Sequence, residues 1–94
     1  MPAYIVANYT VTNPEGYGDY PQKATETLVA HGAEVVAVDL GSEILEGKPQ
    51  PVTVILKFAS KEAARAWYDS PEYQAIAGLR ANNAVGTMVL IEGF

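Results

Sequence analysis

Few side chains in this sequence are suited to acid–base chemistry. His31 is the only histidine, and with Asn8 or Asp39 nearby it could act as an acid or a base, because its unperturbed pKa is about 6.5. Its place just before Gly32 also suits a structural role, since a donor or a cation stabilises the C-terminus of a helix. The chain has no cysteine, which excludes a thiol nucleophile, and one histidine without cysteine predicts no metal site.

Arg80 is the residue best suited to bind an anion. Its guanidinium could hold the carboxylate of a ligand through two parallel hydrogen bonds. The structural alternatives are an ion pair with Glu72 or Glu92, or stacking on an aromatic ring. No nucleophile elbow or spaced carboxylate pair accompanies it, and Gly16-Tyr17-Gly18 is too short for a phosphate loop. No cofactor is predicted.

Aromatic side chains are the third group of candidates. Trp67, Tyr68 and Tyr73 could form the wall of a ligand pocket, although aromatic residues at helical spacing more often belong to a core. The remaining candidates with a polar tip are Tyr4, Asn8, Tyr9 and Tyr20. A buried tyrosine needs a partner for its hydroxyl, so a cluster of them beneath helices would imply a polar network, a water or a ligand.

Composition and charge limit the class of partner. The chain has 94 residues, eleven acidic and six basic side chains and a formal charge of −5, whereas a nucleic-acid-binding surface needs a basic stripe. No apolar run approaches the ~20 residues that cross a bilayer, and the first residues show no signal-peptide pattern. Together with the lack of disulfides, this predicts a cytoplasmic protein that binds neither nucleic acid nor membrane.

Residue patterns predict a strand and a helix in the first third of the chain. Ala3–Val11 is rich in β-branched and aromatic residues, which is typical of a strand. Asn13 before Pro14 is a helix-start signal, but nearby glycines weaken that turn, so the firmer helix is expected from about Pro21 to His31. Its inward-facing stripe would consist of Tyr20, Ala24, Leu28 and His31. Gly32 can take the positive φ of a helix C-cap.

Three more strands are predicted. The second strand covers Glu34–Leu40 and is expected to continue irregularly to Leu45, and the third covers Pro51–Phe58. The connection between them is short, so they should pair as an antiparallel hairpin. The last strand covers Val85–Glu92.

The stretch from Ser60 to Arg80 contains two helical segments that meet at Asp69-Ser70-Pro71. Ser60 and Ser70 can each act as an N-cap, because a serine oxygen accepts a free amide N–H of the first turn. Pro71 suits the first helical position, where its missing N–H costs nothing. These capping roles explain both serines without catalysis.

The element order β-α-β-β-α-β in a single domain, residues 1–94, predicts an α+β, ferredoxin-like fold. Right-handed crossovers place both helices on one face of a four-stranded antiparallel sheet. The other face is still rich in apolar residues, such as Ile55, Val89 and Ile91. A chain of this size buries on folding only about 60–65% of the surface that its unfolded form exposes. Two copies are therefore expected to pack sheet to sheet as a homodimer.

The run Trp67-Tyr68, Ser70-Pro71-Glu72-Tyr73 and Arg80 resembles the DUF1330 family, and the similarity extends over nearly the whole chain. This resemblance implies a dimeric α/β barrel but no established reaction. Only the fold resembles that of small monooxygenases and lactone isomerases, which does not transfer a function. Ala33 and Glu34 depart from the family pattern, which usually has a second glycine and often a basic residue there.

Three functions are compatible with these observations. The first is a homodimer that binds a small molecule between its helices and its sheet. The second is a cofactorless oxygenase or isomerase, with His31 as base and Arg80 or a tyrosine stabilising an oxyanion. The third is a structural or interaction module in which each candidate belongs to the core or a cap. The ligand-binding candidates are Asn8, Tyr20, His31, Trp67, Tyr68, Tyr73 and Arg80.

Overall fold

The structure, a computed structural model, describes all 94 residues. The strands are β1 (Ala3–Val11), β2 (Glu34–Asp39), β3 (Val52–Phe58) and β4 (Ala84–Glu92). The helices are α1 (Pro14–Tyr17), α2 (Tyr20–Ala30), α3 (Lys61–Tyr68) and α4 (Pro71–Ala81). The strands form one antiparallel sheet in the order β2-β3-β1-β4, and the predicted ferredoxin-like fold is confirmed. None of the helices combines the length and hydrophobicity needed to cross a membrane.

The alternation of side chains along β1 separates the two faces of the sheet. Its buried side chains are Ala3, Ile5, Ala7 and Tyr9, whereas the residues between them are only partly buried. The buried set faces the helices. The main core cluster there consists of Ile5, Tyr20, Ala24, Leu28, Leu56, Phe58, Ala64, Trp67 and Tyr73.

Helix α2 shows most of the predicted inward stripe. Tyr20, Ala24 and Leu28 are buried, but His31 is partly exposed beyond the end of the helix. Gly32 has a φ of 69°, so the predicted C-cap conformation is confirmed. The predicted helix start at Asn13 and Pro14 is confirmed, but the Asn13 side chain forms no capping hydrogen bond and instead donates to Oδ1 of Asn83 at 3.0 Å.

Strand β2 lies at the edge of the sheet and is shorter than predicted. It ends at Asp39, whose Oδ1 accepts a hydrogen bond from the Gly41 amide at 2.9 Å and so forms a turn. All six of its residues are exposed. The register shifts between Val35 and Ala37, because β2 has one residue more than β3 at this bulge. Val35 and Val38 therefore both lie on the helix side, opposite Leu56 and Val54.

The two predicted serine caps are confirmed. Ser60 Oγ accepts the Ala63 amide N–H at 3.1 Å, and Ser70 Oγ accepts the Tyr73 amide N–H at 3.2 Å. Ser70 is buried and its hydroxyl also donates to the Trp67 carbonyl at 2.7 Å. It therefore connects the end of α3 to the start of α4.

The face of the sheet away from the helices, here called the open face, is uncovered in the single chain. Its side chains include Val6 on β1, Ile55 on β3, and Val85, Val89 and Ile91 on β4. The three β4 side chains are about half exposed, at 57%, 51% and 46%. The open face thus carries contiguous apolar surface on neighbouring strands.

The two caps make a matched pair for a stability test. Ser70→Ala should lower the free energy of unfolding by about 1–2 kcal/mol, because it removes an N-cap and leaves the buried Trp67 carbonyl without this donor. Ser60→Ala removes a less buried cap alone and should cost about 1 kcal/mol or less. Urea denaturation followed by circular dichroism measures both. A larger loss for Ser60→Ala would contradict the joining role of Ser70.

Candidate ligand-binding cavity

A cavity of about 380 Å³ lies between α2 and the sheet. From the sheet it is lined by Ala7, Val52, Val54 and Leu56, and from α2 by Tyr20, Pro21, Ala24, Thr25 and Leu28. Val35, Val38 and Leu40 form its side at the sheet edge, where β2 is exposed. The cavity forms because β2 is poorly covered by the helices and because α2 presents the small side chains of Ala24 and Thr25 there.

The three tyrosines that line the cavity, Tyr9, Tyr17 and Tyr20, belong to two hydrogen-bonded pairs of hydroxyls. Tyr9 and Tyr17 hydroxyl oxygens are 2.7 Å apart, and those of Tyr20 and Tyr73 are also 2.7 Å apart. In each pair one hydroxyl donates to the other, so one O–H proton per pair is left for another acceptor. The Tyr17 and Tyr20 rings, with centroids 5.5 Å apart, connect the two pairs.

Arg80 brings the only charged side chain into the lining. Its guanidinium carbon lies 5.9 Å from the centre of the Tyr20 ring, so the proposed aromatic contact is present. Neither Glu72 nor Glu92 forms an ion pair with it. Its Nε is buried and has no hydrogen-bond partner, which is uncommon for a buried polar atom.

Burial controls the protonation of these groups. Burial, together with the partner hydroxyl in each pair, raises the pKa of Tyr9 and of Tyr20 well above the usual range, and Arg80 only partly opposes this. Burial would lower the pKa of Arg80, but the hydroxyls of Tyr73 and Tyr20 raise it, and the net direction is upward. The cavity therefore presents neutral hydroxyls beside a permanent cation.

Three of the seven predicted site residues line this cavity: Tyr20, Trp67 and Arg80. Tyr73 lies behind them, fully buried, with its ring centre 4.1 Å from that of Trp67. Tyr68 packs on the same two rings and lines a separate, smaller cavity of about 200 Å³.

Asn8 and His31 lie elsewhere in the fold. Asn8 is on the open face, where its side chain donates to the Gln50 carbonyl and accepts from the Gln50 amide, both at 2.8 Å. His31 Nε2 lies 3.4 Å from Oε2 of Glu72, at the surface between α2 and α4. The hydrogen bond to His31 lowers the pKa of the Glu72 carboxyl. The sheet separates Asn8 from His31.

Tyr17 is a lining tyrosine that the sequence did not single out as a site residue, and Tyr9 was only a general candidate with a polar tip. The glycines around Tyr17 suggested a phosphate loop, but Tyr17 is the last residue of α1 and its hydroxyl contacts that of Tyr9 on β1. No local pattern identified Tyr17, because it and Tyr20 lie in different helices, α1 and α2, and meet only through the turn between them.

No group of three or more His, Asp or Glu side chains comes together in a geometry that could hold a metal ion. We therefore assign no metal-binding residues. The polar groups that converge in the cavity, one guanidinium and the tyrosine hydroxyls, are suited to direct contact with a ligand.

The chain belongs to the DUF1330 family, a domain of unknown function whose sequence profile matches residues 2–94. Comparison of the sequence with curated proteins finds no match. The family assignment agrees with the resemblance carried by Trp67, Tyr73 and Arg80. Trp67 and Arg80 line the cavity, and Tyr73 packs against Trp67.

Solved structures share the fold at low sequence identity. The RPA0582 protein of unknown function from Rhodopseudomonas palustris has a TM-score of 0.77 and 16% identity, over 99% of this chain and 82% of that one. SnoaB, a cofactor-independent oxygenase from Streptomyces nogalater, has a TM-score of 0.69 and 14% identity, over 99% and 93%. A dimeric protein of unknown function with a ferredoxin-like fold from Bacteroides fragilis has a TM-score of 0.56 and 14% identity, over 98% and 95%.

The raised pKa values predict the behaviour of the protein in alkali. Among the six tyrosines, Tyr9 and Tyr20 should ionise only well above pH ~10 or on unfolding. Because the unfolded chain releases these protons first, the free energy of unfolding should fall as pH rises above about 10. Ultraviolet difference titration measures this, and Tyr9→Phe and Tyr20→Phe should each remove one late-titrating group. In urea all tyrosines should titrate together; the same single transition in the folded protein would contradict the burial of these hydroxyls.

Proposed function

We propose that this protein is a homodimer that binds a small, largely apolar molecule in the cavity of each protomer. The observation that carries the proposal is the cavity itself. It is lined mainly by apolar and aromatic side chains, with a few polar groups that converge from α4, β1 and the first helices. Small-molecule sites commonly combine these features in volumes of roughly 300–1,000 Å³.

A purely structural role explains fewer of the candidate site residues than ligand binding does. Trp67 and Tyr73 are packed core residues, and Ser60 and Ser70 are caps, as such a role requires. A protein interior, however, is close-packed and satisfies its buried polar atoms. A space of about 380 Å³ next to the unpartnered Nε of Arg80 does not fit that description.

An enzyme of the cofactorless oxygenase or isomerase kind is the second candidate. The likeness to SnoaB shows that the two proteins share a fold, and it carries no information about activity. A cationic Arg80 is suited to stabilising an oxyanion. The difficulty is the base: His31 contacts Glu72 at the surface, and the lining contains no His, Asp or Glu. Tyrosines with raised pKa values are poor bases near neutral pH. Binding without turnover is therefore the preferred function.

The homodimer is proposed to form through the open face. Val89 and Ile91 on β4 and Val6 on β1 provide apolar surface that a second copy would remove from water. The Bacteroides fragilis protein of similar fold is described as dimeric, which supports this arrangement. The cavity lies on the helix side of the sheet, so both cavities would stay accessible in such a dimer.

Occupation of the cavity is tested with N-phenylnaphthylamine, an uncharged probe whose fluorescence rises in apolar sites. We expect the protein to bind it and Val38→Trp to weaken binding at least about ten-fold. Val38 lines the cavity and is 57% exposed, so a larger side chain there can fill the mouth without overpacking the core. A fluorescence titration gives both affinities.

The matched control is Val29→Trp, because Val29 is an exposed valine on α2 that does not line the cavity. It should leave the probe affinity unchanged. Absence of probe binding to the unsubstituted protein, or equal weakening by both variants, would overturn the proposed binding function.

The proposed dimer is tested by light scattering at micromolar concentration. The protein should have twice the chain mass of 10.1 kDa, and Val89→Glu should shift it to the monomer, because a carboxylate would be buried unpaired in the interface. Val29→Glu, on the outer surface of α2, should remain dimeric. A monomeric mass for the unsubstituted protein would rule out the dimer.

A further inference from the structure

We propose that the ligand of this cavity carries a single negative charge on an aromatic body, and that the charged group binds at Arg80 beside the tyrosine hydroxyls. A carboxylate, a sulfonate or the oxyanion of a phenol or enol meets this description. The inference rests on the proposed binding function and specifies the chemical class of its ligand.

The first argument is the lack of a counter-ion for Arg80. The protein has eleven acidic and six basic side chains, yet its ion pairs are His31 with Glu72 and Arg65 with Asp69, and Arg80 has none. Arg80 is half-buried, and its Nε is fully buried without a hydrogen-bond partner. The contacts of Arg80 are with tyrosine side chains and not with a carboxylate. A buried cation without a counter-ion is costly, and a bound anion would provide that counter-ion.

The second argument is the excess of hydrogen-bond donors. A guanidinium donates and cannot accept. Each tyrosine pair, Tyr9 with Tyr17 and Tyr20 with Tyr73, has one O–H proton that its internal bond does not use. Because burial raises the pKa of Tyr9 and of Tyr20 above its usual range, these two hydroxyls keep their protons and can donate. Donors beside a fixed positive charge complement an anionic oxygen better than any neutral group.

The third argument limits the ligand to one charge. Apart from Thr25 and Arg80, the lining side chains are apolar or aromatic. A sugar phosphate or a dicarboxylate held inside the cavity would bury further charges against Leu28, Val54 and Leu56 with no partner for them. The rest of the ligand must therefore be apolar.

The fourth argument favours an aromatic body. The Tyr17, Tyr20 and Trp67 side chains all line the cavity, and the first two rings lie 5.5 Å apart at a tilt of 40°. Aromatic rings gain from offset or edge contacts with other rings beyond the area that they bury. A fused-ring acid can contact these walls while its charged group reaches Arg80.

The experiment compares two probes of the same shape, naphthoate and naphthamide, by displacement of N-phenylnaphthylamine at neutral pH. Naphthoate should bind roughly 10- to 100-fold more tightly, as expected for hydrogen bonds to a charged group. Arg80→Gln should abolish this preference, measured as the ratio of the naphthoate and naphthamide affinities in the same variant. Arg65→Gln, which alters the exposed arginine that pairs with Asp69, should leave the preference intact.

A measurement on the unsubstituted protein guards against misfolding of the Arg80→Gln variant. Naphthol is a weak acid whose absorption spectrum changes on ionisation. A cation and donors favour its anionic form, so its pKa should be lower when bound than when free. Arg80→Lys, which keeps the charge but loses the planar fork, should retain a smaller downward shift.

The outcomes separate this inference from the proposed binding function. If N-phenylnaphthylamine binds but naphthoate and naphthamide have equal affinity, the anionic class is wrong and the binding function stands. A preference for naphthoate that survives in Arg80→Gln, or a bound naphthol pKa that is unchanged or raised, also overturns the inference. If the uncharged probe fails to bind, both proposals fail together.

Discussion

The contact between Trp67 and Tyr73 positions most of what lies on the helix side of the sheet. Their ring centres are 4.1 Å apart and both side chains are almost inaccessible to water. Ser70 joins the helices that carry them by capping α4 and donating to the last turn of α3. Arg80 follows Tyr73 by two helical turns and so projects from the same side of α4. The Tyr73 hydroxyl then ties α4 to Tyr20 on α2.

The cavity follows from how these helices cover the sheet. Aromatic side chains occupy much of the space beneath α3 and α4, whereas strand β2 at the sheet edge stays exposed along its whole length. The bulge in β2 brings both Val35 and Val38 to the helix side, which gives the cavity an apolar wall near solvent. A hydrophobic space with a charged inner end is thus a consequence of the packing.

The two faces of the sheet can serve separate purposes. Dimerisation through the open face would involve Val6, Val89 and Ile91, whereas the cavity is lined by the alternate residues of the same strands, such as Ala7. Asn8, on the open face, fixes the segment around Gln50 through hydrogen bonds in both directions. A substitution on one face therefore leaves the other chemically unchanged, which allows binding and assembly to be measured independently.

The sequence by itself determined the features that depend on local interactions. The strands, the Ser60 and Ser70 caps, the positive φ of Gly32 and the apolar open face follow from neighbouring residues and their periodicity. Only the tertiary structure decided that Arg80 has no acidic partner and that His31 meets Glu72, 41 residues away. These contacts depend on how α2 and α4 pack beside each other on one face of the sheet. The residues involved are far apart in the sequence, so no local pattern predicts that they meet.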